Sequence, residues 1–211
     1  MSIDVDTDLA AAPVMVIVRN ETPARTAELC AHAWRIGVRV IEVPIQSREA
    51  IPSLAAAVAV GRTHGFEVGA GSVHTVEQWD AAIAAGAAFT VAAATVPAVL
   101  DRAASHGVTH IPGVATGTEV AMALAAGAHL LKAFPASLLT PDWVRAMRAP
   151  FPTASFVATG GITAQNLHGF LEAGCRAVAF GSSFDQPESE AAIRTLVALA
   201  GRPATRDDPD R

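Results

Sequence analysis

The sequence predicts an α/β fold, a single (β/α)₈ barrel of the TIM type, and three observations carry that expectation. Short β-rich runs alternate with Ala-rich helical segments, one unit in roughly every twenty-odd residues. The β-rich runs lack clean polar alternation, as expected of parallel strands covered on both faces. Hydrophobic residues make up 51% of the 211, enough for one large core.

The expected strands are Val14–Val18, Val38–Val43, Phe66–Ala70, Phe89–Ala92, Val108–Ile111, His129–Phe134, Ser155–Thr159 and Ala177–Phe180. Helical patterns fill the intervals at Pro23–Ile36, Glu49–Arg62, Val76–Ala85, Pro97–His106, Thr118–Ala126, Asp142–Met147, Ala164–Ala173 and Glu188–Leu199. Thr22-Pro23 and Thr140-Pro141 pair a cap with a proline at the first helical position. Thr75 with Gln78 and Thr116 with Glu119 have the spacing of a capping box. Gly37, Gly86, Gly107, Gly127 and Gly174 fall where helices give way to strands. A doubly wound open sheet would want a glycine-rich dinucleotide turn after the first strand, and Val18-Arg19-Asn20-Glu21 is not one. The expected organisation is one barrel domain over residues 13–201, with flexible ends at 1–12 and 202–211.

Composition narrows the function. A net charge of −5, no clustered Lys/Arg stripe and no Tyr argue against a nucleic-acid partner. No run reaches the roughly 20 uncharged apolar residues of a membrane span. The acidic start, Ser2 to Asp8, lacks the basic region of a signal peptide, so the expected compartment is the cytoplasm. Cys30 and Cys175 form no redox or metal motif, and the seven histidines show no short ligand spacing. No metal and no cofactor are expected.

The basic residues are fourteen Arg and one Lys, Lys132. Arg cannot deprotonate and Lys can, so the one position that keeps lysine is a candidate for chemistry. It stands in Leu130-Leu131-Lys132-Ala133-Phe134-Pro135, at the end of a barrel strand, where catalytic groups gather. Apolar neighbours disfavour an ammonium and free the amine as a nucleophile. Glu42, in Val40-Ile41-Glu42-Val43-Pro44, is a carboxylate inside an apolar strand, to be read as a general acid/base or as a salt-bridge partner of Arg19 or Arg39. Arg19 ends the first strand and could hold a carboxylate. Thr159-Gly160-Gly161-Ile162 and Gly181-Ser182 follow strands seven and eight, where barrels of this kind bind phosphate.

These motifs resemble those of the class I aldolases that cleave 2-keto-3-deoxy-6-phosphogluconate, the related galactonate compound or 4-hydroxy-2-oxoglutarate. The likeness runs from about Pro13 to Phe184 and is carried by Ile41-Glu42-Val43-Pro44-Ile45, Gly69-Ala70-Gly71-Ser72-Val73, Pro112-Gly113-Val114-Ala115-Thr116, Leu131–Ala136 and Thr159–Ile162. It implies that Lys132 forms an imine with pyruvate or the 2-keto substrate and that Glu42 shuttles protons. It implies that Ser72, Pro112 and Phe134 line the pyruvate end, with Arg19 near the carboxylate or hydroxyl groups. Thr159, Gly160, Gly161, Gly181 and Ser182 would hold the phosphate, and the assembly would be a homotrimer. Gln46 stands where the gluconate branch usually has arginine and looks more like the galactonate branch. Ala93-Ala94-Thr95 replaces a Ser/Thr-Pro turn. Both departures bear on substrate choice. Readings kept beside this one are a barrel isomerase or decarboxylase with a purely electrostatic Lys132, and a non-catalytic phosphate-sugar binding protein.

Overall fold

The structure, a computed structural model, describes residues 5–181 and 183–200. Nine strands, all paired in parallel, run in the order β5-β4-β3-β2-β1-β9-β8-β7-β6. They are β1 (Val14–Ile17), β2 (Val40–Pro44), β3 (Val68–Gly71), β4 (Phe89–Val91), β5 (His110–Ile111), β6 (Gly113–Val114), β7 (Leu130–Ala133), β8 (Ser155–Thr159) and β9 (Ala177–Phe180).

β5 and β6 are two halves of one strand position, divided at Pro112, which has no N–H to give to a ladder; the expected fifth strand, Val108–Ile111, reached only the first of them. One half pairs with β4 and the other with β7, so the broken strand joins the two ends of the sheet. The Pro112 carbonyl still accepts from Lys132 N at 2.8 Å. The barrel therefore has the eight expected strand positions, closed through a proline.

Alternate strand residues separate into two apolar clusters, following the two-residue period of a strand. Met15, Ile17, Val40, Phe89, Val91, Ile111, Leu130, Val157, Ala177 and Ala179 fill the barrel interior. Val14, Val16, Ile41, Val43, Leu131, Phe156, Val178 and Phe180 belong to the layer under the helices. Glu42 and Lys132 share the inward parity of Val40 and Leu130.

Residues 5–11 correct the expectation of a frayed N-terminal end. They form α1 (Val5–Ala11), whose Val5 and Leu9 lie one turn apart and are buried in the interior cluster. Asp6 pairs with Arg176 at 2.8 Å and Asp8 with Arg39 at 3.6 Å, tying α1 across the bottom of the barrel. The expected tail at 202–211 lies outside the described residues.

The helices between the strands are α2 (Pro23–Arg35), α3 (Ile51–His64), α4 (Val76–Ala84), α5 (Pro97–Ser105), α6 (Gly117–Ala125), α7 (Ala136–Arg148), α8 (Leu167–Glu172) and α9 (Pro187–Ala200). Thr22 caps α2 by accepting from Arg25 N, and both capping boxes form as their spacing predicts. α7 begins six residues ahead of the expected Asp142, but Thr140 (φ 63) breaks it just before Pro141. α8 starts three residues late, because Asn166 Oδ1 accepts from Thr163 N and holds a turn in place of a first helical turn.

His110, one of the seven histidines, turns outward from β5. It is buried and shares a 2.8 Å hydrogen bond between its Nδ1 and Thr90 Oγ1. Burial, with a smaller contribution from His74, lowers its pKa to about 4. Between about pH 6.5 and 4 the unfolded chain then holds a proton that the folded chain does not, so stability falls as pH drops through that window. The loss should be on the order of 3 kcal/mol and absent from His110→Gln. Urea denaturation of both proteins from pH 7 to pH 4 checks this, and parallel pH profiles would refute it.

Candidate active site

Two inward side chains from strands on opposite sides of the barrel meet near its C-terminal mouth. Lys132 Nζ lies 3.7 Å from Glu42 Oε2, and the two residues are only 4% and 0% exposed. The separation is that of an ion pair rather than a hydrogen bond. Neither carboxylate oxygen has a hydrogen-bond partner among the described residues. A buried charge pair of this kind adds little stability, because desolvation offsets its attraction. Its acceptor capacity stays open to a proton arriving from elsewhere.

Neighbouring residues leave room for the pair. A Cβ on Gly71 would lie 1.8 Å from Glu42 Oε1, so the carboxylate occupies the space a side chain on β3 would take. A Cβ on Gly69, one inward position deeper, would meet the Phe89 ring at 2.2 Å, and that ring floors the site. Lys132 Nζ sits 5.4 Å from the centre of the Phe134 ring, at cation–π range. The backbone of Lys132 is fixed by the Pro112 carbonyl.

A cavity of about 430 Å³ opens beside the lysine. Arg19, Lys132, Phe134, Thr159, Gly160, Gly161 and Gly181 all line it, so the structure gathers these expected site residues around one space. Among the described residues its lining has two basic side chains and no carboxylate, which suits an anion. Gly160 (φ 93) and Gly161 (φ 78) adopt left-handed backbone, and side chains there would press on Phe134 and Ser137. The Gly160 carbonyl accepts from Ser137 N, and the Gly161 carbonyl from Asn166 Nδ2, which together hold the turn.

Other expectations fall differently. Gln46 is exposed and does not line this cavity; its Nε2 donates to Asn20 Oδ1 instead. Asn20 does line the cavity, from left-handed backbone (φ 60), and reasoning from sequence missed it. An asparagine in a loop carries little signal, although its tolerance of that backbone region is a recognised preference. Ile162, Thr163 and Ser183 are also in the lining and were passed over in favour of their glycine neighbours. Ser182 lies outside the described residues. Pro112 contributes its carbonyl, and the Glu42 carboxylate has no arginine partner of the kind weighed from sequence. Ser72 follows Gly71 at the rim, half-buried, also with left-handed backbone (φ 59). His74 stands two residues further, with its pKa lowered by burial and by the Lys132 charge.

The family model for the KDPG and KHG aldolases matches residues 5–194. The chain belongs to that aldolase family. The 2-dehydro-3-deoxy-6-phosphogalactonate aldolase of Escherichia coli K12 is 36% identical over 174 residues, covering 81% of this chain and 83% of that protein. The 2-dehydro-3-deoxy-phosphogluconate aldolase of Treponema pallidum is 40% identical over 154 residues, covering 72% of this chain and 71% of that one. Among solved structures, a KDPG aldolase from Legionella pneumophila, with pyruvate captured as a covalent carbinolamine intermediate, superposes with a TM-score of 0.80 at 26% identity. That match covers 96% of this chain and 100% of the other.

The buried pair generates a stability prediction. Lys132→Met leaves the Glu42 carboxylate buried without its counter-charge, and should cost on the order of 3 kcal/mol at pH 7. Adding Glu42→Gln should restore most of that loss. Equal urea midpoints for the single and double variants would contradict the coupling.

Proposed function

We propose that the protein is a class I aldolase that cleaves a phosphorylated 2-keto-3-deoxy sugar acid to pyruvate and glyceraldehyde 3-phosphate, working in the cytoplasm as a homotrimer. One observation carries the reading: the only lysine of the chain is buried 3.7 Å from a buried carboxylate, at the wall of an anion-suited cavity. Family membership and the carbinolamine of the Legionella relative support the same chemistry. For the compartment, the support is that no helix among the described residues is long and apolar enough to cross a membrane.

In this mechanism the unprotonated Lys132 amine adds to the 2-keto carbon. Glu42 supplies the proton with which water leaves, giving a protonated imine that serves as the electron sink. The Glu42 carboxylate then takes the proton of the hydroxyl on carbon four. The bond between carbons three and four breaks, its electrons pass into the imine, and the aldehyde departs. The enamine left behind is protonated at carbon three, and water hydrolyses the imine to pyruvate and free amine. Arg19 holds the substrate's carboxylate or hydroxyl groups. Thr159, Gly160, Gly161, Gly181 and Ser182 hold the phosphate, chiefly through backbone N–H groups. Ser72, Pro112 and Phe134 shape the pyruvate end.

Gln46 enters this scheme at one remove. It holds Asn20, which faces the cavity, so the choice among sugar acids passes through Asn20.

Borohydride reduction in the presence of pyruvate should add a reduced pyruvate group to Lys132, read by intact mass and peptide mapping. Lys132→Arg keeps the charge but cannot form the imine, and should abolish both adduct and cleavage. An unchanged mass for the wild-type protein would overturn the proposal. In the condensation direction, removing the phosphate from the aldehyde should raise its KM by at least about tenfold, the scale of a lost charge-assisted contact. Equal use of the two aldehydes would count against the phosphate site. Sedimentation at the mass of a single chain would count against the trimer.

A further inference from the structure

The turn after β4, residues 93–95, has only one side chain able to form a hydrogen bond, that of Thr95, so its other anchors must come from outside. Three are visible. Ala93 N donates to His74 Nε2 at 3.1 Å. Thr95 Oγ1 donates to the Gly113 carbonyl at 2.9 Å, and Gly113 N donates to the Ala94 carbonyl at 3.3 Å. A Cβ on Gly113 would lie 2.3 Å from the Ala93 carbonyl carbon, so the turn lies directly over the broken fifth strand. That strand also provides the carbonyl on which the Lys132 backbone rests.

His74 is itself held. Its backbone N–H donates to Gln78 Oε1 at 2.7 Å, inside the α4 capping box. Because Nε2 accepts, the neutral ring carries its proton on Nδ1, and the ring's other hydrogen bond is to the Ser72 backbone. One imidazole therefore links the turns after β3 and β4, on the Glu42 side of the lysine. The titratable groups acting on it are Lys132 from β7 and His110 from β5.

We propose that His74 is a positioning residue: in its neutral form it fixes Ser72 and the Ala93–Thr95 turn, and through them the pyruvate end of the site. An imidazolium has no lone pair for Ala93 N–H, so protonation releases the turn. Burial and the positive charge of Lys132 both favour the neutral form, which keeps the link intact at neutral pH. The chemical half of this assignment rests on the aldolase reading.

The test compares wild-type protein, His74→Leu and His74→Gln by pyruvate trapping with a borohydride reductant, from pH 5 to pH 8. Amide exchange at Ala93 is followed in parallel by NMR. In His74→Gln the new side-chain amide oxygen can replace Nε2 as acceptor but does not titrate. His74→Leu should raise the pyruvate concentration for half-maximal trapping by about fivefold to tenfold at pH 7.5, the scale of one lost hydrogen bond, and leave the maximal yield unchanged. Ala93 exchange should quicken in the same variant. His74→Gln should stay within about twofold of wild type on both measures at pH 7.5. It should also lose the acid-side rise in half-maximal pyruvate concentration that wild type shows. Equal behaviour of the Leu and Gln variants, or wild-type pH dependence in His74→Gln, would overturn the proposal. If wild type traps no pyruvate, the aldolase reading falls and takes the pyruvate-positioning claim with it. Ala93 exchange then separately decides whether His74 holds the turn.

Discussion

An amine and a carboxylate enclosed together inside a barrel impose conditions on everything around them. Lys132 and Glu42 arrive from β7 and β2, on opposite walls, and meet only because the strands in between yield space. Gly71 yields it directly, since any side chain there would occupy the position of the Glu42 carboxylate. Gly69 yields it one layer down to Phe89, whose ring floors the site and keeps it apolar. Pro112 breaks the fifth strand, yet its carbonyl keeps the lysine backbone in register. A buried pair whose carboxylate oxygens accept no hydrogen bond among the described residues is a poor source of stability. The stability comes instead from the apolar interior below it and the shell under the helices.

The two ends of the barrel have separate tasks. At the bottom, α1 buries Val5 and Leu9 against the interior cluster and is tied by ion pairs to Arg176 and Arg39. At the top, glycines, left-handed backbone at Asn20 and Ser72, and side-chain-held turns leave an open cavity. Among the described residues, two of the three non-glycine positions with left-handed backbone, Asn20 and Ser72, stand where function is proposed, as expected when packing elsewhere over-determines the fold.

Much of this was legible in the sequence, and the failures have physical causes. Barrel architecture followed from the alternation of apolar runs and capped helices, because each cap is a local interaction between near neighbours. Lys132 stood out because every other Lys/Arg position is arginine, and Glu42 because a carboxylate in an apolar strand is costly. Gly160 and Gly161 were found because a glycine pair after a strand marks unusual backbone. α1 was missed although Val5 and Leu9 have helical spacing; a single pair on an acidic segment gives little periodicity. Gln46 was expected to bind substrate, but its side chain turns to Asn20, and a residue's position in a loop does not disclose that. His74 gave no signal of its role, because its bond to Ala93 joins two loops that are separate in the chain and meet only in the fold.

The solitary status of Lys132 has a consequence for handling the protein. The chain offers a single ε-amine, only 4% exposed at the wall of a cavity. Bulky amine-reactive dyes, crosslinkers and activated surfaces therefore find no lysine on the outside of the molecule. A small electrophile that fits the cavity meets one lysine, with no second ε-amine to compete. Among side chains, ordinary lysine chemistry becomes site-selective in this protein without any engineering.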